Sequence, residues 1–368
     1  MTQPTAYVYH EVYDGRGFSR LRDSWRRYAL ARQLLEELGF LAGPLRLYRQ
    51  EPASDEDLAL VHDPAYVEFV KRKDAEGTGC LDYGDTPAYS GVLRRARLAV
   101  GGTILASRLV ASGEVRHAFN PGGGLHHARP DRAGGFCVFN DVAVAVRRLQ
   151  SDFGLRRIAV VDCDGHHGDG TQAIFYREPI LTISMHRYDG RFYPRTGLAV
   201  ERGEGPGLGY NLNLPLPRGV GDDAYLRLLE EAVLPRLYAY RPRLMFVQIG
   251  ADGHHGDSLV RLGLSFNAYA ALGRRLHQAA HDLCAGRLVL VAGGGYKPEV
   301  VARCWTVFLA EVAGLPEAAA PHLREWLAAD QPAPSPPGTN EALQQIIARL
   351  RTAGALEEPG RNAYSAGG

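Results

Sequence analysis

Four short apolar runs, each passing directly into a polar, glycine-rich segment, constrain this chain more than anything else in it. Residues 115–120 run into PGGGLHH (121–127), and residues 158–161 into DCDGHHGDGTQ (162–172). Residues 244–249 run into GADGHHGD (250–257), and residues 288–292 into GGGY (293–296). Apolar runs of this length without polar alternation are strands buried on both faces, the kind a parallel sheet requires. Strands are also expected at 6–10, 45–48 and 180–185. Between them lie helical patterns at 25–38, 64–70, 88–111, 136–149, 222–238 and 267–284, and from Pro298 onward. Asp63 reads as the N-cap of the second helix, ahead of Pro64. Gly101 and Gly102, inside the long third helix, mark a place where another backbone comes close. The expected fold is therefore α/β: a single open, mainly parallel sheet of about eight strands with helices on both faces. Residues 1–328 read as one domain, 329–340 as a Pro-rich linker, and 341–368 as a C-terminal helix (341–350) and flexible tail.

Open α/β sheets build their sites beyond the carboxyl ends of the strands, where all four polar segments fall. The densest places Asp162, Asp164, His166, His167 and Asp169 within eight positions, broken by Gly165 and Gly168. Such a set is costly at the end of a buried strand unless a divalent cation compensates it. Asp and His together suit zinc or ferrous iron. Asp164 and His166, two apart, face one way along extended chain. With Asp252 they make three ligands and leave a position open, as a catalytic metal needs. His126 and His127, from another strand end, are placed as base and acid. Asp162 and Asp169 can each hold one imidazole, and Tyr296 can donate to a developing oxyanion. The blander alternative is a self-satisfied polar loop with a helix capped at Asp169, and Tyr296 as a core tyrosine. That alternative does not explain why six of the 13 histidines fall in three HH pairs, each just past a strand. The His254-His255 pair reads equally well as rim, and His10, His62 and His117 as structural.

Other classes are disfavoured. The glycine runs match neither GxGxxG nor a P-loop, and no GxSxG or HExxH occurs. A net charge of +1 supports neither nucleic-acid nor membrane binding. There is no run of 18 apolar residues and no basic-then-apolar leader, and the five cysteines are scattered. A reduced, cytoplasmic setting is expected. Oligomeric state is open.

The segments PGGGLHHA, GGFCVFNDVAVAV, VDCDGHHGDGTQ, TISMH, GADGHHGD and AGGGY, in this order, resemble the histone deacetylase family of the arginase/deacetylase fold. The resemblance is strongest to its bacterial acetoin-utilisation-type members and runs from about Tyr7 to near Ala313. It implies zinc on Asp164, His166 and Asp252, His126 and His127 paired to Asp162 and Asp169, and Tyr296 polarising an amide carbonyl. It also implies a rim aspartate, Asp85, that grips the substrate backbone. Gly135, Phe136, Tyr193 and Leu259 would contact the substrate, with Phe136 and Tyr193 as aromatic walls of an acyl-lysine tunnel. A structural potassium ion would sit on Asp162, Asp164, His166, Ser184 and Met185. Tyr193 replaces a common Phe, Leu125 a common Trp, and Leu259 the gatekeeping Glu of polyamine-specific members. The family's early His-Pro segment is absent, so the exit-channel arginine is Arg26 or Arg27. The implied activity is zinc-dependent removal of acetyl or similar acyl groups from lysine side chains of a protein or peptide. Deacylation of small acylated amines and a non-catalytic acyl-lysine-binding scaffold are the alternatives.

Overall fold

In the computed structural model, which describes residues 4–14, 26–332 and 334–357, eight strands form one sheet. They are β1 (Thr5–Val8), β2 (Leu45–Tyr48), β3 (His117–Asn120), β4 (Ile158–Asp162), β5 (Leu181–Arg187), β6 (Asn211–Leu216), β7 (Leu244–Gln248) and β8 (Leu288–Val291). Their order is β2-β1-β3-β8-β7-β4-β5-β6, and every pairing is parallel. The expected open sheet is present, and it is parallel throughout.

Side chains alternate between two apolar layers, as the pleat dictates. Ala159, Val161, Met245, Val247, Leu288 and Leu290 enter one layer. Ile158, Val160, Leu244, Phe246, Val289 and Val291 enter the other. The first layer is closed by helices Arg26–Glu37, Phe266–Cys284 and Pro298–Ala313, through Leu35, Leu272, Leu276, Trp305 and Phe308. The second is closed by Val92–Ala111 and Asp141–Phe153, through Ala106, Val110, Val146 and Leu149. The C-terminal helix Thr339–Thr352 sets Leu343, Ile347 and Leu350 into the first layer. Residues 358–368 of the expected tail, Ala333 of the expected linker and Trp25 lie outside the described residues. No helix among the described residues is long and apolar enough to cross a membrane.

Several boundaries differ from expectation, each for a local reason. The helix expected at 136–149 is Asp141–Phe153. The Asn140 side chain caps it by accepting from the Ala143 N–H, while Phe136 sits upstream at a left-handed φ of 67°. Asp63 is the N-cap residue of Pro64–Glu76 but makes no side-chain capping bond. The helix expected at 222–238 is interrupted by a wider turn, Leu229–Val233, just before Pro235, whose ring nitrogen has no hydrogen for the ladder. Strand β6 was not expected: its Asn residues and Pro215 hide it, and it is tolerated because it lies at the sheet edge. His186, expected just past a strand, lies inside β5.

Gly101 is where a second backbone presses on the long helix: a Cβ there would run into the Glu51 carbonyl. Gly101→Ala is expected to cost ~1–3 kcal/mol by overpacking. A thermal melt checks this; an unchanged midpoint would mean that the 51–53 segment moves aside freely.

Candidate metal and acid–base site

The polar segments follow β3, β8, β7 and β4, which are adjacent at the centre of the sheet. Parallel pairing puts their carboxyl ends on one edge, so residues far apart in sequence meet there. Asp162 ends β4, and Asp164 and His166 follow it. Asp252 lies beyond β7 and Tyr296 beyond β8.

Asp164, His166 and Asp252 offer ligand atoms that all lie within 4.8 Å of one another. His166 Nδ1 is 3.2 Å from Asp164 Oδ1 and 2.9 Å from Asp252 Oδ2. Both carboxylates are fully buried. Backbone N–H groups steady them: His166 and Gly294 donate to Asp164 at 2.9 and 2.6 Å, and Gly165 donates to Asp252 at 2.8 Å. Gly294 must be glycine, because a Cβ there would overlap the Asp252 carboxylate. Burial favours a neutral His166 ring, but its bonds to the two carboxylates outweigh this and raise its pKa to about 10. Burial and the charge of Asp164 raise Asp252. The donor set fits a zinc-class divalent cation. Two carboxylates and one imidazole are hard-to-borderline ligands, and three protein ligands leave room for a fourth.

Beside this tripod stand two His–Asp pairs. His126 Nδ1 lies 2.6 Å from Asp162 Oδ2, and His127 Nδ1 lies 2.7 Å from Asp169 Oδ1. The two Nε2 atoms are 3.1 Å apart, close enough for one proton to bridge them. The rings differ electrostatically. Burial lowers His126, but Asp162 and Asp164 outweigh it and hold the ring at about 9. Burial and the neighbouring His126 push His127 down to about 4. The charge of Asp169 does not reverse this, and its second oxygen is bound by Arg129 at 2.9 Å.

A cavity of about 610 Å³ opens beside these groups, lined by His126, His127, Asp164, His166 and Tyr296. Burial raises the Tyr296 phenol well above its usual pKa, so it stays a donor. Its backbone N–H is held by Asp257 at 2.7 Å. Asp85, Gly135 and Phe136 also line the cavity. Thr86 Oγ1 ties the Asp85 loop to the Phe136 N–H at 3.0 Å, and Asp85 is raised to about 6 by burial and by Asp82. Tyr193 and Leu259 are partly exposed near the site. Tyr193 is 40% exposed and stands edge-on to His127 at 5.0 Å, and Leu259 is 46% exposed. Of the two candidate arginines, Arg27 lines the cavity and donates to the Gly295 carbonyl at 2.8 Å, while Arg26 is exposed. Ser184 pairs with Asp162 in register across β4 and β5, and Met185 is buried next to it.

The three HH pairs separate in role. His167 bonds Thr196 and Gln172. His254 and His255 both bond Asp330, at 2.9 and 2.5 Å, which links them to the end of the Ala320–Ala329 helix. Some contributors had no sequence signal. Phe192 stacks on His166 at 5.0 Å, and Asp141 accepts from the Gly124 and Leu125 N–H groups to fix the loop before His126. Tyr13, Tyr28 and Arg95 join Arg27 at the cavity wall without any shared motif.

A parallel α/β sheet carrying a buried Asp-His-Asp tripod and two His–Asp pairs at its carboxyl edge defines a class: α/β proteins with a candidate metallohydrolase centre. The histone deacetylase domain matches residues 22–312. The chain belongs to the histone deacetylase family of deacetylases and amidohydrolases. It is 40% identical over 306 residues to a histone deacetylase-like amidohydrolase of Pseudomonas aeruginosa, covering 82% of this chain and 79% of that one. It is 39% identical over 275 residues to the acetoin utilization protein AcuC of Bacillus subtilis, covering 72% and 70%. The crystal structure of the HDA15 HD domain superposes with a TM-score of 0.81 at 28% identity, covering 96% of this chain and 98% of that one.

Proposed function

We propose that the chain is a zinc-dependent lysine deacylase, acting on acetyl or similar acyl groups of a protein or peptide substrate. The observation that carries this is the meeting of three buried ligand atoms, within 4.8 Å, with two His–Asp pairs, beside a cavity that His126, His127, Asp164, His166 and Tyr296 line. Asp164, His166 and Asp252 would hold the cation, zinc or ferrous iron. When bound, it supplies Lewis acidity to the scissile carbonyl and to the attacking water. His127, the less basic ring, takes the water's proton, with Asp169 fixing its tautomer. His126, held by Asp162, shares a proton across the Nε2 pair toward the leaving amine. The Tyr296 hydroxyl donates to the developing oxyanion. Phe136 packs against the apolar stem of the lysine, and Asp85 accepts from the substrate backbone. Asp162 and Ser184, with Asp164, His166 and Met185, form the proposed seat for a structural potassium ion.

Hydrolysis of acetyl-lysine peptides, longer acyl-lysine peptides and acetylated polyamines by the zinc-reconstituted chain tests the substrate class. The peptides are expected to turn over faster than the polyamines, since Leu259 offers no charge to a cationic amine. Preference for polyamines would replace the peptide reading with a small-amine one, and inertness toward all would favour a binding scaffold.

Cation binding must displace the proton that His166 holds between its carboxylates. Apparent zinc affinity is therefore expected to rise with pH, by roughly tenfold per unit for each proton released. Competition against a chromophoric chelator at about pH 6 and about pH 8 measures this. A pH-independent affinity would mean that the empty site holds no proton on His166.

A further inference from the structure

A second histidine cluster lies away from the cavity. His277 and His281 are four apart on the Phe266–Cys284 helix, so both project from one face. His117 opens β3 and is buried beneath them. His281 Nε2 is 3.2 Å from His117 Nε2 and 3.0 Å from His277 Nε2. One ring nitrogen carries either a proton or a lone pair, never both. His281 Nε2 therefore cannot donate to two acceptors, and as a single lone pair it can accept only one good hydrogen bond. The ring planes meet at 59°, 73° and 82°, which suits three rings converging on a common point and not a stack.

We propose that His117, His277 and His281 form a second cation site, taking a divalent ion of the zinc class through their three Nε2 atoms. Three imidazoles without a carboxylate select zinc, nickel or copper over magnesium or calcium. His277 is half-buried and His281 exposed, so solvent reaches one side and can fill a fourth position. The site lies at the amino end of β3, whereas His126 follows that strand's carboxyl end, so the two sites occupy opposite edges of the sheet. An ion here clamps a helix of one layer to the sheet, tying residue 117 to residues 277 and 281. It stabilises the fold by mass action without touching the catalytic cavity. The alternative is a purely hydrogen-bonded trio.

Chelator-stripped full-length chain is titrated with Zn2+, and bound metal is counted by elemental analysis, with a thermal melt alongside. Wild type is expected to hold two ions per chain. His277→Gln and His281→Gln, both on the helix surface, should hold one and lose part of the zinc-dependent rise in melting temperature, while keeping the wild-type hydrolysis rate. Asp252→Asn should also hold one ion and keep the part of the rise that His281→Gln loses. If His281→Gln still holds two ions, the proposal fails. It fails equally if wild type holds a single ion that Asp252→Asn abolishes. A single ion lost in His281→Gln but kept in Asp252→Asn would uphold this site and refute the tripod instead.

Discussion

Asp252→Asn is expected to strip the proposed catalytic cation and lower hydrolysis by on the order of 10³-fold or more, a barrier increase of about 4 kcal/mol. The substitution keeps the side chain's shape. The amide oxygen can still accept from the Gly165 N–H, which Asp252 binds at 2.8 Å, so the loop has little reason to move. What changes is charge. Two buried carboxylates surround the His166 ring, and the tripod's affinity for a divalent ion depends on both being anionic. With one removed, a neutral amide and the His166 imidazole leave Asp164 as the lone anion. Elemental analysis and circular dichroism separate metal loss from misfolding. Wild-type turnover by a folded, metal-poor variant would mean that hydrolysis does not pass through this cluster.

Tyr296→Phe is expected to act oppositely on metal and in the same direction on rate. Metal content should stay at the wild-type level, while kcat falls ~100-fold or more, the scale of one oxyanion donor. The ring remains in the cavity wall, and Asp257 still holds the backbone of residue 296, so the pocket's shape is kept. Only the hydroxyl is lost. Because it acts on charge that develops in the transition state, KM should change little. An unchanged kcat would make Tyr296 a wall residue. A raised KM at constant kcat would make it a substrate-binding one.

The sequence carried the sheet and the tripod for physical reasons. Strands buried on both faces, such as β4 and β7, cannot hide their apolar runs, and each polar segment follows its strand without a gap. A buried Asp164 or Asp252 requires compensation, so its neighbourhood advertises a cation. Where those pressures relax, legibility fades. Strand β6 alternates Asn with Leu at an edge and reads as loop. Phe136 looked helical because its neighbours are apolar, but its left-handed backbone is set by the turn that presents it to the cavity. Tyr193, placed at the substrate by resemblance, stands edge-on to His127 through the packing of its loop, which no local pattern records. Phe192 is invisible for another reason: it reaches His166 across a distance in sequence. His117 meets His277 and His281 only through the fold, since both lie more than a hundred residues away in sequence.

The claim beneath the rest is that residues from two strand ends hold one hydrolytic cation. Anomalous diffraction at the zinc edge, from crystals of the zinc-reconstituted chain, tests it most directly. A peak is expected within bonding distance of Asp164, His166 Nδ1 and Asp252 together. Peaks elsewhere, with none between these three side chains, would contradict it.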